Sequence, residues 1–349
     1  TTKTGRKDSE LKFDYNVYSG FQQTTRKLPV LNATDYALLV NESLAANGEP
    51  NLYPDVSLLG KGTDWQDEVF GNAPIINNDL TIRGGSKNST YAFGSSLLTQ
   101  DGIVGGGKSN FTRYNARLQF NTEFLDRIKL KSGLTYVGTT RQKLSENALG
   151  SVLFNAANIA PTFKIRDDNG NYTLAEGMGN EVINPLAQIE NTFDNTKVNK
   201  ISGNFGLNME VLKNLTVESN IQFNYAEVKG KIFAPQAYYG SGKVFNKDRS
   251  EVKVTRDIYN DYTFDAFINY ENTFLEAHHV NLTIGTSVFR TQGEFSGSIG
   301  FDVPGNEFAN ASIGNTTDVT NLFPVRNPTF DSRLLSYFGE ANSPISSAS

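Results

Sequence analysis

The stretch FTRYNARLQFNTEF, Phe111 to Phe124, puts Tyr114, Ala116, Leu118 and Phe120 on one side of a period of two. Arg113, Asn115, Arg117, Gln119, Asn121 and Glu123 fall on the other. Such a segment is a strand with one apolar and one wet face. In a soluble sheet the apolar face meets a protein core; in a membrane barrel it meets lipid, while the wet face lines an aqueous lumen. The alternation recurs from Leu11 to Val17, Ile128 to Tyr136, Ile201 to Met209, Leu215 to Tyr225 and Ile258 to Tyr270. Weaker stretches near 75–84, 89–100, 278–292 and 332–339 bring the total to about ten strands. Several exceed the roughly 5–6 residues usual in globular sheets and match the roughly 9–11 that cross a bilayer at a tilt.

The connections alternate in length. GGSKNS (Gly84 to Ser89), FLDR (Phe124 to Arg127), EVLKN (Glu210 to Asn214) and FLEAHH (Phe274 to His279) are tight, whereas 22–73, 142–196, 231–255 and 293–331 are long. Short turns on one rim and long loops on the other are the pattern of an outer-membrane barrel, and several structureless loops of that length are foreign to a compact soluble domain. Within the first long loop, Thr34 as N-cap, apolar Tyr36, Leu39, Val40 and Leu44, and Gly48 as stop predict a helix. A second short helix is expected over Gly62 to Phe70, and Asn169-Gly170 predicts a loop hairpin with a type I′ turn.

Other classes find little support. Apolar runs such as YALLV, Tyr36 to Val40, are far shorter than the roughly 20 residues of a membrane-spanning helix. The chain has no cysteine, hence no disulfide framework and no thiolate metal site. Its net charge of −5, without a Lys/Arg-dense run, gives no footing for nucleic acid. No basic segment followed by an apolar one opens the sequence, and TTKTGRKDSELKF reads as the interior of a longer protein.

Asp167, Asn169 and Asn171 have calcium-loop spacing, but the glycine comes two positions early and the terminal bidentate Glu is missing, so the turn is preferred and no metal is expected. GKGTDW and GGGK lack the phosphate-cradling frame. Asn-x-Ser/Thr matches such as Asn110-Phe111-Thr112 reflect turn Asn and strand Thr. His278 and His279 sit together on the short-turn rim, which leaves a loop-borne Ser/His/Asp triad without its base. Asp55 and Asp64 as a glycosidase pair are weighed against ordinary solvated acids, and the expectation is a non-enzyme without a cofactor. Tyr53, Trp65, Tyr238 and Tyr239 in the long loops are candidate substrate-binding residues, set against packing or an interfacial belt.

Several segments resemble one family. TTKTG looks like the end of a plug domain and FDYNVYSGFQ, Phe13 to Gln22, like a first barrel strand. LPVLNATDYALLVNES followed by GTDWQDEVF resembles the first large extracellular loop of SusC/RagA-type TonB-dependent outer-membrane transporters. NNDLTIRGGSKNSTYAFGSSLLTQDGIVGGGKSNFTRYNARLQFN is similar to that family's successive strands, and RLLSYFGEAN to a further one. The resemblance implies an all-β, antiparallel transmembrane barrel: residues 1–9 as the end of the plug, 10–342 as part of a barrel of about 22 strands, and 343–349 as an atypical tail. It further implies TonB-dependent import of glycans or oligopeptides across a bacterial outer membrane, a SusD-like lipoprotein over the extracellular mouth, and a TonB complex acting through the plug. Arg113, Arg117 and Gln119 would face the lumen, and Tyr114, Leu118 and Phe120 the lipid. The rival is a soluble all-β binding or adhesin module with its apolar faces packed together.

Overall fold

The computed structural model describes residues 4–342 apart from 126, 146–147, 275–277 and 322–327; the tail 343–349 and Thr1 to Lys3 of the expected plug end lie outside the described residues. The strands are β1 (Ser9–Gln22), β2 (Ala73–Gly85), β3 (Ser89–Asp101), β4 (Asn110–Phe124), β5 (Ile128–Gln142), β6 (Phe193–Leu212), β7 (Leu215–Ala234), β8 (Glu251–Phe274), β9 (His278–Phe301), β10 (Asp318–Asn321) and β11 (Thr329–Asn342). They form one antiparallel sheet in sequence order through β9, whose far edge pairs with the short β10 near one end and with β11 along the rest. Among the described residues the sheet is not closed. Among the described residues four short α-helices, α1 (Ala33–Ala46), α2 (Trp65–Val69), α3 (Val152–Asn158) and α4 (Pro185–Glu190), lie in the long connections.

Registers convert the sequence alternation into two faces. Directly paired residues share a face, and one row across the strands runs Phe13, Ile82, Phe93, Leu118, Leu134. Its neighbour on the other face runs Asp14, Thr81, Gly94, Arg117, Thr135, Ser202, Asn224, Asp261, Thr291. Among the described residues no layer covers the apolar row: Phe13 is 65% exposed and Leu118 54%. The buried apolar residues collect in the long connections instead, around Trp65, Val69, Val152, Ala156 and Ile159. A sandwich needs the opposite distribution, so the soluble face-to-face alternative is set aside.

Three local expectations need correction. The α1 cap is Asn32, whose side chain accepts from Asp35 N, and Thr34 Oγ1 instead donates to Gly60 O at 2.9 Å; Gly48 ends the helix at φ +73° as expected. Gly170 is left-handed but Asn169 is not, so the loop hairpin turns as type I followed by a left-handed glycine rather than type I′. Asp167 Oδ1 accepts from the amides of Asn169 and Asn171, which uses it as a turn acceptor. Finally, β7, β8 and β9 run further than the alternation does, shrinking two long loops to 235–250 and 302–317.

Candidate functional site

Two regions carry the chemistry. The first is the polar face of the sheet. Ser202, Asn224, Asp261 and Thr291, directly opposed on β6 to β9, form a hydrogen-bonded ladder: Ser202 Oγ to Asn224 Oδ1 at 3.3 Å, Asn224 Nδ2 to Asp261 Oδ2 at 2.9 Å, and Thr291 Oγ1 to Asp261 Oδ1 at 2.5 Å. Polar groups tied to one another in this way belong to a wet or protein-filled side, since each would cost several kcal/mol unpaired in hydrocarbon. Beside the ladder, a hollow of about 420 Å³ is lined by Arg117, Gln119, Lys200, Asn204, Gln222 and Asp261 among others. A neighbouring one is lined by Arg113, Asn115 and again Arg117 and Gln119. Gln119 Oε1 is buried and meets no donor among the described residues. Tyr114, Leu118 and Phe120 project from the opposite face, 44%, 54% and 48% exposed.

The second region is the loop layer, and it is folded. Asp64 Oδ1 caps α2 through the amides of Gln66 and Asp67, Ser151 caps α3, and Asn184 caps α4 ahead of Pro185. Two side-chain amides act like strand partners: Gln66 bonds both backbone groups of Leu28, and Asn41 both those of Tyr53. Asn155, fully buried, donates to Gln188 Oε1 at 2.8 Å and accepts from Ile183 N at 3.0 Å, joining α3 to α4. Lys243 reaches into the layer to donate to the carbonyls of Met178 and Gly179, and burial lowers its pKa against the opposing pull of Glu176 and Glu181.

The four loop aromatics do not converge on one cleft. Trp65, 3% exposed, packs in the loop core with its indole donating to Ala160 O at 3.1 Å. Tyr53 is half-buried with its hydroxyl 3.2 Å from Thr162 Oγ1, so these two residues flank the same 160–162 segment. Tyr239 is buried beside Ile183 and Ala187, and burial raises its pKa. Only Tyr238, 64% exposed, offers an open ring. Asp55 and Asp64 are both spent on capping, Asp55 at a 3-10 turn. His279 lies on the short-turn rim with Nε2 3.2 Å from Glu271; the side chain of His278 is outside the described set. The ladder residues Ser202, Asn224, Asp261 and Thr291 escaped the sequence reading as a site, although each holds a polar position of the alternation.

An open antiparallel sheet with short turns on one rim, a folded loop layer on the other and an uncovered apolar face defines part of a membrane β-barrel. No family model matches the chain. In sequence it is 25% identical, over 98% of its length, to TonB-dependent receptor P3 of Formosa agariphila, and 25% identical over 98% of its length to TonB-dependent receptor SusC of Bacteroides thetaiotaomicron. It spans 33% and 34% of those relatives, about a third of their length. The solved RagAB peptide transporter superposes with a TM-score of 0.77 at 16% identity, covering 99% of this chain and 41% of that one. The fold is that of a TonB-dependent β-barrel, and the resemblance to SusC/RagA-type TonB-dependent receptors holds along the whole chain in sequence and in fold.

Proposed function

We propose that this chain forms part of the wall and outer loops of an outer-membrane importer that takes up glycans or oligopeptides. The observation that carries the reading is one sheet with an uncovered apolar face and a hydrogen-bonded polar face, edged by tight turns below and a folded layer above. Arg113, Arg117 and Gln119 then face the lumen and Tyr114, Leu118 and Phe120 the lipid. The loop layer is the extracellular side, where a SusD-like lipoprotein would cap the mouth and where Tyr238 and Tyr53 are left to touch cargo. Trp65 and Tyr239 would act from beneath by holding the loops in shape.

Residues 1–9 are taken as the end of a plug. Asp8 N donates to Ser86 O at 3.1 Å and Lys7 pairs with Glu123, which fastens this segment to the short-turn rim. A TonB complex pulling from the periplasm would act close to that attachment. RagAB is described as a peptide importer, and oligopeptides are accordingly one of the two cargo classes. The test is growth of a deletion strain on oligosaccharides and on oligopeptides as sole nutrient. Loss of growth on one class, restored by the wild-type gene only while TonB is present, is expected. Unchanged growth on both sinks the import reading.

A further inference from the structure

The lipid-side face does not end at neutral residues. Beyond Tyr225 on β7, in the direction of the loop layer, the same face carries Glu227 and then Lys229. Lys229 is directly paired with Lys197 on β6 and with Arg256 on β8, so three cations stand side by side on adjacent strands. Like charges opposed across strands are destabilising. One carboxylate answers them: Glu227 lies 2.9 Å from Lys229 and 2.6 Å from Arg256, its side chain only 12% exposed while theirs are 53% and 52%. The acid is tucked beneath and the cations face outward. Lys197 meets no carboxylate among the described residues. The pattern repeats on the next strands, where Arg290 and Arg333 are directly paired and share Asp331, at 2.8 and 2.9 Å. Even counting Glu294 of this face, these five cations and Lys231 beyond them meet three carboxylates among the described residues, leaving three positive charges in excess.

Their height is informative. At about 3.3 Å per residue and a tilt of about 40°, Lys229 stands about 10 Å beyond Tyr225, while Arg290, opposite Tyr262 in the row of Phe223, stands about 5 Å beyond Val288, the last apolar residue of its face on β9, and about 20 Å along the strands from the Arg256 row. These levels lie in and just above the interfacial layer, where aromatic belts end and headgroups begin.

From this we infer that the strip formed by Lys197, Lys229, Arg256, Arg290 and Arg333 binds the phosphate groups of a saccharide-headed lipid in the outer leaflet. Arg supplies forked donors suited to phosphate, and bound phosphate relieves the opposed cations. The inference rests on the membrane reading above. Continuity with the lipid-facing band and charge complementarity select a lipid over a soluble partner, and cations at two heights select a bulky phosphorylated headgroup over a single phosphate near the acyl chains.

The experiment uses the protein extracted in mild detergent from its own outer membranes, titrated by native mass spectrometry. The probes are a bisphosphorylated, acylated glucosamine disaccharide, its dephosphorylated form, and inorganic phosphate. The phosphorylated lipid is expected to bind at least tenfold tighter than the dephosphorylated one. Combined Lys197→Gln, Arg256→Gln and Arg333→Gln should abolish most of that preference, whereas Lys129→Gln with Lys131→Gln, on the other face, should keep it. Equal binding of the two lipids, or equal loss in both variants, overturns the inference while leaving the membrane reading intact. Competition by equimolar inorganic phosphate would make this a free-anion site and overturn the lipid assignment. Absence of the protein from the outer-membrane fraction, measured before any titration, would overturn both readings.

Discussion

Leu118 and Gln119 are neighbours in β4 that meet different surroundings. Leu118 is paired with Phe93 and Leu134 in the apolar row, while Gln119 lines the polar hollow. On the proposed assignment the apolar row faces lipid, where a cation costs about 2–4 kcal/mol near the bilayer midplane, and the polar face lines the lumen, where it costs little. Leu118→Arg should therefore deplete folded protein in the outer membrane, and Gln119→Arg should barely change it; heat-modifiable mobility on gels reads both, and equal depletion would contradict the assignment of faces. Trp65 carries the same logic into the loops. Trp65→Ala empties a buried site and strands the Ala160 carbonyl, a loss of about 3–5 kcal/mol confined to the loop layer. Trp65→Phe, which keeps most of the packing, should cost nearer 1 kcal/mol. Hydrogen exchange should show the 150–190 segment loosening while β4 and β5 stay protected, and uniform loosening would mean the layer has no independent core.

At the scale of elements, glycines opposite aromatics recur across the sheet. Gly84 faces Tyr91, Gly138 faces Tyr114 and Gly203 faces Phe223 on the apolar side, and Gly293 faces Phe330 on the other. Each aromatic side chain lies over its glycine, where an added Cβ would come within 2.1 to 2.6 Å of aromatic side-chain atoms. The ring covers backbone that the missing side chain leaves bare. Gly138→Val should lower the melting temperature by expelling Tyr114 from its contact with Tyr136, at about 1–3 kcal/mol. Gly94→Val has nothing nearer its new Cβ than Leu80 O at 3.9 Å and should be tolerated; equal melting shifts would refute the pairing argument. The loop after β9 has an electrostatic device instead. Arg249 holds the Asp302 carboxyl below the usual carboxylate range through its hydrogen bonds, with Thr317 adding another. A depressed native pKa adds stability that is present above the unfolded value of about 3.9 and lost as pH falls through the native one. Protease resistance of residues 302–317 should thus decline only below about pH 4. Asp302→Asn should show reduced resistance already at pH 7, and an unchanged profile would leave the pair without a role.

Across the whole molecule, what was legible in the sequence depended on how sharply the two faces of the sheet differ. Between Tyr114 and Phe120 one face is the uncovered apolar row and the other the polar hollow, so the period of two is strict. Beyond Tyr225 the polarity of the two faces inverts on β7, where Glu227, Lys229 and Lys231 take the side of Phe223 and Tyr225 while Val228 takes the other, so a reading that follows one apolar face stops short of the strand's end. The loop core was harder still. Trp65 and Tyr239 read in sequence either as recognition residues or as packing beneath the loops, and contacts with segments distant in the chain, Ala160 for Trp65 and Ile183 for Tyr239, show the packing. The polar ladder was present position by position but needed the register to be seen as one object. The same register leaves β1 paired only with β2 and β11 only with β9 among the described residues, so both ends of the sheet offer unsatisfied donors and acceptors. In hydrocarbon an open edge costs several kcal/mol per unpaired group, and only another strand relieves it. The 349-residue polypeptide refolded alone in detergent should therefore associate through its edges, giving light-scattering masses above the 38.4 kDa monomer. Amide exchange in β1 and β11 should slow as concentration rises, while β4 and β5 remain protected throughout. A monodisperse monomer with β1 and β11 already protected would show that the sheet curls far enough to satisfy its own edges, against the open arrangement described here.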